Sequence, residues 1–256
     1  MPADARSGTW VIDLDGVIWL ATQPIPGSSE AVERIRAAGV RVLFCTNNAA
    51  TTADALTDRL AAAGITAGKS DLVTSAQAAA TLLDPGSKAF VCGEKGILDA
   101  LAARGVEVVS GAPAAAAIVG WTRKFDFDLL AASMSVVRSG ARLIGTNEDP
   151  TYPTPSGLIP GAGSILAAVA RASQTDPLVA GKPYGPMADL VRTTAPDLSL
   201  VVGDRPATDG LFAKRLGVPF ALVHSGVTPA DHGSLEQVPD FEAADLSAIA
   251  NLVLGS

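Results

Sequence analysis

The chain is poor in the residues that mark several common protein classes. It has 256 residues, of which 18% are charged and 5% aromatic, with two cysteines and two histidines. Cys45 and Cys92 cannot build a disulfide framework, and no CxxC or Cys/His spacing points to zinc. Both lie in apolar runs and read as reduced thiols inside strands. There is no basic excess: 19 Lys and Arg face 26 Asp and Glu, a net charge of −7. A general nucleic-acid binder needs a broad cationic surface to displace counterions, so that class is disfavoured, although a local pocket for one small anion is not. Apolar runs such as residues 114–121 fall far short of the ~18 residues a membrane helix needs. Asp4, Arg6 and Asp13 precede any long apolar stretch, which is unlike a signal peptide. The expectation is a soluble, cytoplasmic, globular protein.

The remaining composition belongs to a packed chain. At 48% apolar residues it can bury enough surface to fold, and its length corresponds to about 1.7 typical domains. Short β-branched runs alternate with alanine-rich helical stretches. Strands are expected at residues 10–12, 40–45, 89–92, 107–109, 116–121, 142–145, 178–180, 198–203 and 220–223. Helices are expected at 29–38, 52–63, 96–104, 128–139, 161–173, 187–193 and 210–216. Such alternation implies parallel strands joined by right-handed crossovers, hence an α/β fold. Polar residues suited to chemistry cluster before position 50 and after 180. An α/β unit inserted inside another explains that distribution better than two domains in tandem. The expected division is a core of residues 1–75 and 179–256 with an inserted cap at 76–178.

Four strand ends carry the chemistry. Asp13-Leu14-Asp15-Gly16 follows the first strand directly, at a carboxyl end, where open α/β sheets bind ligands. Residues i and i+2 share a strand face, so both carboxylates can address one site, though a turn after a strand also favours Asp and Gly for backbone reasons. The second strand ends in Thr46-Asn47-Asn48, donors that suit a phosphate oxygen or simply an Asn-rich turn. In Gly181-Lys182-Pro183 the proline forces Lys182 out of helical geometry, so its ammonium projects from a loop. Leu200-Val201-Val202-Gly203-Asp204 is a further strand ending in a carboxylate, with Asp209 five positions on. Hard oxygen ligands near a phosphate suggest Mg²⁺. A dinucleotide-binding reading is disfavoured, because the first strand runs into DLDG and not into a glycine fingerprint.

Each element alone is ambiguous, but the ordered set resembles the haloacid dehalogenase-like phosphatases. DLDGV is similar to their first motif, Thr46 to the second, Lys182 to the third and GDRPATD to the fourth. TNN, GKP and TNEDPTYPTPSGLIPGAGSI resemble the branch containing nitrophenylphosphatases, phosphoglycolate phosphatases and glycerol-3-phosphate phosphatases. That resemblance implies a Rossmann-like parallel-sheet hydrolase core with a large α/β cap. It implies Asp13 as the nucleophile that forms an aspartyl-phosphate, and Asp15 as the acid and base. It gives Thr46, Asn47 and Lys182 the phosphoryl oxygens. Mg²⁺ falls to Asp13, the backbone carbonyl of Asp15 and Asp204, with Asp209 behind them. The expected activity is Mg²⁺-dependent hydrolysis of a small phosphorylated metabolite. Glycerol-3-phosphate leads, with phosphoglycolate and pyridoxal phosphate as alternatives. A phosphomutase shares the four motifs, and a non-catalytic phosphometabolite-binding protein is the rival of another class. Expected partners are the metabolite alone, with no nucleic acid and no membrane; a homodimer is allowed.

Other features read more plainly. Gly161-Ala162-Gly163 before a helix suits a helix-start turn better than an anion site. Gly120-Trp121-Thr122 stands where many members of the family carry a glycine, an apolar residue and an aspartate. Arg123 and Lys124 either meet an anionic substrate or solvate the cap surface. His224 and His232 have no Ser or Cys partner pattern and read as structural.

Overall fold

A computed structural model describes residues 5–154 and 157–255. Asp4 at the N-terminus, and Pro155 and Ser156 of the stretch TNEDPTYPTPSGLIPGAGSI, lie outside the described residues. The chain forms two compact units. The first comprises Met1–Thr46, Leu56–Val73 and Ala188–Ser256, and the second Asn47–Ala55 and Thr74–Met187.

The first unit is built on a sheet in the order Phe241–Ala243, Phe220–Val223, Leu198–Gly203, Thr9–Ile12, Arg41–Thr46, Leu72–Thr74. Thr9–Ile12 pairs in parallel with Leu198–Gly203 on one side and with Arg41–Thr46 on the other. Its four residues are all buried, as expected of a strand covered on both faces. From this central strand the chain moves first to one side of the sheet and later to the other. A crevice therefore opens at its carboxyl end, the switch point at which doubly wound sheets hold ligands, and Asp13 is the first residue beyond it.

The second unit has its own sheet, ordered Leu178–Val179, Arg142–Gly145, Ala116–Val119, Lys88–Cys92, Glu107–Val109, with parallel pairing throughout. Its core packs Phe90, Val119, Val136, Leu143, Leu166 and Val169 between the sheet and the helices Phe127–Arg138 and Ala162–Ser173. An antiparallel hairpin, Thr151–Thr154 with Gly157–Pro160, adds a small ribbon.

The α/β fold with a parallel core and a cap is the one expected. The sequence reading placed the inserted segment at 76–178. The compact unit that contains it also takes in Asn47–Ala55 and extends to Met187. Contacts explain both wider limits: Leu178–Val179 joins the edge of the second sheet, Ala180 donates its N–H to Gly145 O at 2.8 Å, and Gly96 donates its N–H to Ala50 O at 3.0 Å. No described helix is long and apolar enough to cross a membrane.

Candidate active site

Three carboxylates converge in the first unit. Oxygens of Asp13, Asp204 and Asp209 lie within 4.8 Å of one another, with Asp204 2% and Asp209 1% exposed. Asp13 and Asp204 directly follow neighbouring strands. Asp13 N–H bonds Val202 O at 2.9 Å, so the first carboxylate is fixed to the neighbouring strand that delivers Asp204. The Asp13 Oδ1 accepts the Leu14 N–H at 2.8 Å. Asp209 sits in a widened helical turn, Pro206–Gly210, where its Oδ2 accepts the Arg205 N–H at 3.2 Å.

Glycines make room for this cluster. A Cβ at Gly16 or at Gly226 would collide with the Asp204 carboxylate, and one at Gly203 with that of Asp209. The segment after Phe220–Val223 then wraps Asp204. Val227 N–H donates to Asp204 Oδ2 at 2.7 Å, Thr228 Oγ1 donates to Asp204 O at 2.6 Å, and Ser225 Oγ donates to Gly16 O at 2.7 Å.

The donor set fits a hard divalent cation. Like charges at this spacing repel by roughly 3 kcal/mol per pair at an effective dielectric near 20, a cost that a cation removes. Ligands at the 2.0–2.1 Å demanded by Mg²⁺ stand at most about 4.2 Å apart, so slight inward rotation of these side chains would let all three reach one ion, with water filling the remaining positions. Asp209, expected behind the metal, offers its carboxylate to the same group. The Asp15 carboxylate is not a member of it. Its Oδ1 accepts the Trp19 indole N–H at 3.0 Å, and Gly16 N–H closes the turn on Trp19 O at 2.7 Å. Trp19 is buried beneath the Arg59 guanidinium, 3.9 Å from the ring centroid. Thr46 ends Arg41–Thr46 and is buried.

Asn47 and Lys182 belong to the second unit, and they meet. Lys182 N–H donates to Asn47 Oδ1 at 2.8 Å, while Asn47 Nδ2 donates to Lys182 O at 3.1 Å. The backbone polarity of Lys182 dictates which end of the amide is oxygen. Asn47 Nδ2 also donates to Asp149 Oδ2 at 3.2 Å, which engages both amide N–H bonds. Asn47 O in turn accepts Ser75 Oγ at 2.6 Å and Asn147 Nδ2 at 2.8 Å. The Asn47 side chain is thus a brace that sets the Lys182 loop. A Cβ at Gly181 would crowd Asn47 Oδ1 at 2.6 Å, so the glycine before Lys182 permits that brace. Lys182 itself is 3% exposed.

Other candidates resolve simply. Gly161 and Gly163 start the helix Ala162–Ser173, and their N–H groups bond Pro150 O and Asp149 O at 2.8 and 3.0 Å. Those donors hold a turn, as the plain reading expected. Trp121 stacks on Tyr152 with ring centroids 5.6 Å apart, and Arg123 lies over Trp121 at 5.7 Å. Arg123 and Lys124 are exposed.

The turn Thr146-Asn147-Glu148-Asp149 is expected from the sequence, as the end of a strand, to take part in substrate selection; in the structure Asn147 and Asp149 hydrogen-bond Asn47. Sequence reasoning missed Trp19 and the segment from Ser225 to Thr228. The segment left a signal, a run of small and hydroxyl residues directly after a buried strand, whereas Trp19 acts through the fold and carries no spacing of its own.

Comparison with known proteins agrees with the four motifs. Residues 10–107 match a family model described as haloacid dehalogenase-like hydrolase, and residues 179–249 match one described as HAD-hydrolase-like. The chain is 38% identical to the D-glycerol 3-phosphate phosphatase of Mycobacterium tuberculosis over 228 residues. That alignment covers 86% of this chain and 64% of the relative, so the chain spans less than two thirds of that protein's length. A structure of the M. tuberculosis glycerol phosphate phosphatase in complex with magnesium superposes with a TM-score of 0.88 at 33% identity, covering 99% of this chain and 80% of that one. The p-nitrophenyl phosphatase from Archaeoglobus fulgidus gives a TM-score of 0.89 at 29% identity, over 96% of this chain and 98% of that one. The chain belongs to the haloacid dehalogenase-like hydrolases, in the branch of the nitrophenyl and glycerol phosphate phosphatases.

Proposed function

We propose that the protein is a Mg²⁺-dependent phosphatase acting on a small phosphorylated metabolite, with glycerol-3-phosphate as the lead substrate. The observation that carries this reading is the convergence of Asp13 and Asp204, at the carboxyl ends of neighbouring strands, with Asp209 from the turn Pro206–Gly210, inside a cradle of glycines. The substrate comes from likeness to the M. tuberculosis enzyme. Phosphoglycolate and pyridoxal phosphate remain alternatives within the same chemistry.

In this mechanism Asp13 attacks phosphorus and Asp15 protonates the departing alcohol oxygen. The result is an aspartyl-phosphate on Asp13, which splits one slow displacement into two. Asp15, now a carboxylate, takes a proton from water as the water attacks phosphorus and regenerates Asp13. The Trp19 indole N–H holds Asp15 Oδ1 and so orients the carboxyl group. Thr46 and Lys182 are assigned the phosphoryl oxygens by their places in the second and third motifs. Asn47, assigned there too by resemblance, acts instead by bracing the Lys182 loop. Asp13, Asp204 and Asp209, with the backbone carbonyl of Asp15, would hold Mg²⁺, which when bound would offset the negative charge of the phosphoryl group. Residues 76–178 act as the cap that selects substrates. The protein works in the cytoplasm, as a monomer or a homodimer, and engages no nucleic acid.

The test is a panel of phosphorylated metabolites run on wild type and on Asp13→Asn, with and without EDTA. Wild type should favour glycerol-3-phosphate and fall silent on chelation, with Mg²⁺ restoring activity. The variant should fold and be inactive. Full activity in metal-free buffer, or in Asp13→Asn, would refute the reading.

A further inference from the structure

The two histidines of the chain come together on the first unit. His224 follows the strand Phe220–Val223, His232 lies in the succeeding loop, and Glu242 sits in the edge strand Phe241–Ala243. Glu242 Oε1 stands 2.9 Å from His224 Nε2 and 3.0 Å from His232 Nε2. The far side of each ring faces a second oxygen: His224 Nδ1 is 3.2 Å from Thr228 O, and His232 Nδ1 is 2.7 Å from Gly233 O.

This arrangement is difficult for neutral imidazole. Every ring nitrogen faces an acceptor, yet a neutral ring carries one N–H and one lone pair. With the N–H at Nδ1, the Nε2 lone pair points at the carboxylate; with the N–H at Nε2, the Nδ1 lone pair points at a carbonyl. In either tautomer each neutral ring leaves one lone pair facing an acceptor with no proton between them. Two imidazolium rings would satisfy the geometry, but they would place two positive charges side by side against one carboxylate. A single divalent cation satisfies it by taking the Nε2 lone pairs of both rings and a carboxylate oxygen together. Backbone carbonyls on the outer Nδ1 atoms are the orienting contacts that metal-bound histidines usually have.

We propose that His224, His232 and Glu242 form a second metal site, built for a borderline divalent transition ion, Zn²⁺ foremost. Two imidazoles and a carboxylate suit such an ion, whereas Mg²⁺ prefers oxygen donors alone. Tetrahedral ligands around zinc stand about 3.3 Å apart; Glu242 Oε1 lies 2.9 and 3.0 Å from the two Nε2 atoms, and all three ligand atoms lie within 4.8 Å of one another. The two histidine side chains are 11% and 19% exposed and that of Glu242 40%, leaving solvent access for an ion and a fourth ligand. The Gly233 carbonyl and Glu242 also raise the basicity of His232, which marks the node as one that attracts positive charge.

The site would act as a staple. It ties together the two ends of the segment whose Val227 and Thr228 hold Asp204. The inference does not depend on the phosphatase reading, because it concerns binding alone.

Since the chain has only two histidines, a tag-free, ¹⁵N-labelled sample gives imidazole signals from this site and nowhere else. Zn²⁺ is titrated near neutral pH with Mg²⁺ in large excess, and Mg²⁺ alone serves as the control. Both rings should shift together and saturate at one equivalent of Zn²⁺, with no response to Mg²⁺. His232→Asn should lose affinity for Zn²⁺ by about tenfold or more, read on the remaining His224 ring. Silence of both rings, a shift in only one, an equal response to Mg²⁺, or unchanged affinity in His232→Asn would each overturn the proposal.

Discussion

Asp13 and Asp15 stand two positions apart, yet their surroundings differ. Asp13 shares its space with two further carboxylates, while Asp15 turns to the Trp19 indole. One environment suits a charged nucleophile beside a cation, and the other suits a group that must present one oxygen to a leaving alcohol. A hydrogen bond to a carboxylate contributes about 1.5 kcal/mol or more, equivalent to roughly tenfold in rate if it fixes that geometry. Trp19→Phe should therefore lower kcat for alkyl phosphates by about tenfold and lower it much less for nitrophenyl phosphate, whose leaving group needs little protonation. Equal losses on both esters would mean that Trp19 merely packs. Asp13 and Asp204 were legible in the sequence because each ends an apolar strand, and Asp209 by its spacing from Asp204. Trp19 was not, since a tryptophan four residues beyond an aspartate has no pattern that separates a hydrogen-bonding partner from a core side chain. Asn47 was legible as a polar strand end, but its task was not. Only the structure brings residues 47 and 182 together.

At the scale of elements, the strands and helices expected from periodicity lie within two residues of those observed, because buried parallel strands read as unbroken apolar runs. The misses have local causes. The hairpin Thr151–Thr154 and Gly157–Pro160 contains Pro153 and Pro160, which argue against strands. The helix Ser75–Thr81 is seven residues of mostly alanine, and its one signal is a capping box in which Thr74 and Gln77 exchange hydrogen bonds. The helix Leu246–Leu254, capped by Asp245, lies beyond the last strand the reading assigned. Two predictions belong at this scale. Gly226→Ala would push a methyl group into the Asp204 carboxylate, so the Mg²⁺ concentration for half-maximal activity should rise about tenfold or more; an unchanged requirement would show that the segment adapts freely. In the strand Lys88–Cys92, burial raises the Cys92 thiol to about 11 from an ordinary 9.0, partly offset by the Ser133 hydroxyl. The folded state then holds its proton longer than the unfolded chain, so stability should fall as pH rises from about 9 toward 11. Denaturant titrations across that window should show a smaller decline for Cys92→Ala than for wild type.

For the whole molecule, the residues assigned to chemistry and those assigned to selection are expected to separate by effect. Asp13 and Lys182 should affect every substrate alike. Arg123 and Lys124, beside the Trp121–Tyr152 pair, should instead alter ratios of kcat/KM among glycerol-3-phosphate, phosphoglycolate and pyridoxal phosphate. If Arg123→Ala and Lys124→Ala leave those ratios unchanged, these side chains only solvate the surface. Beneath such differences the proposed mechanism has one covalent event, the transfer of phosphoryl to Asp13. An acyl phosphate is reduced by borohydride, which converts the aspartate to homoserine. Wild-type protein quenched during turnover of glycerol-3-phosphate and treated with tritiated borohydride should carry label at position 13 as homoserine, and Asp13→Asn should carry none. Steady turnover with no label, or label on another residue, would contradict the account.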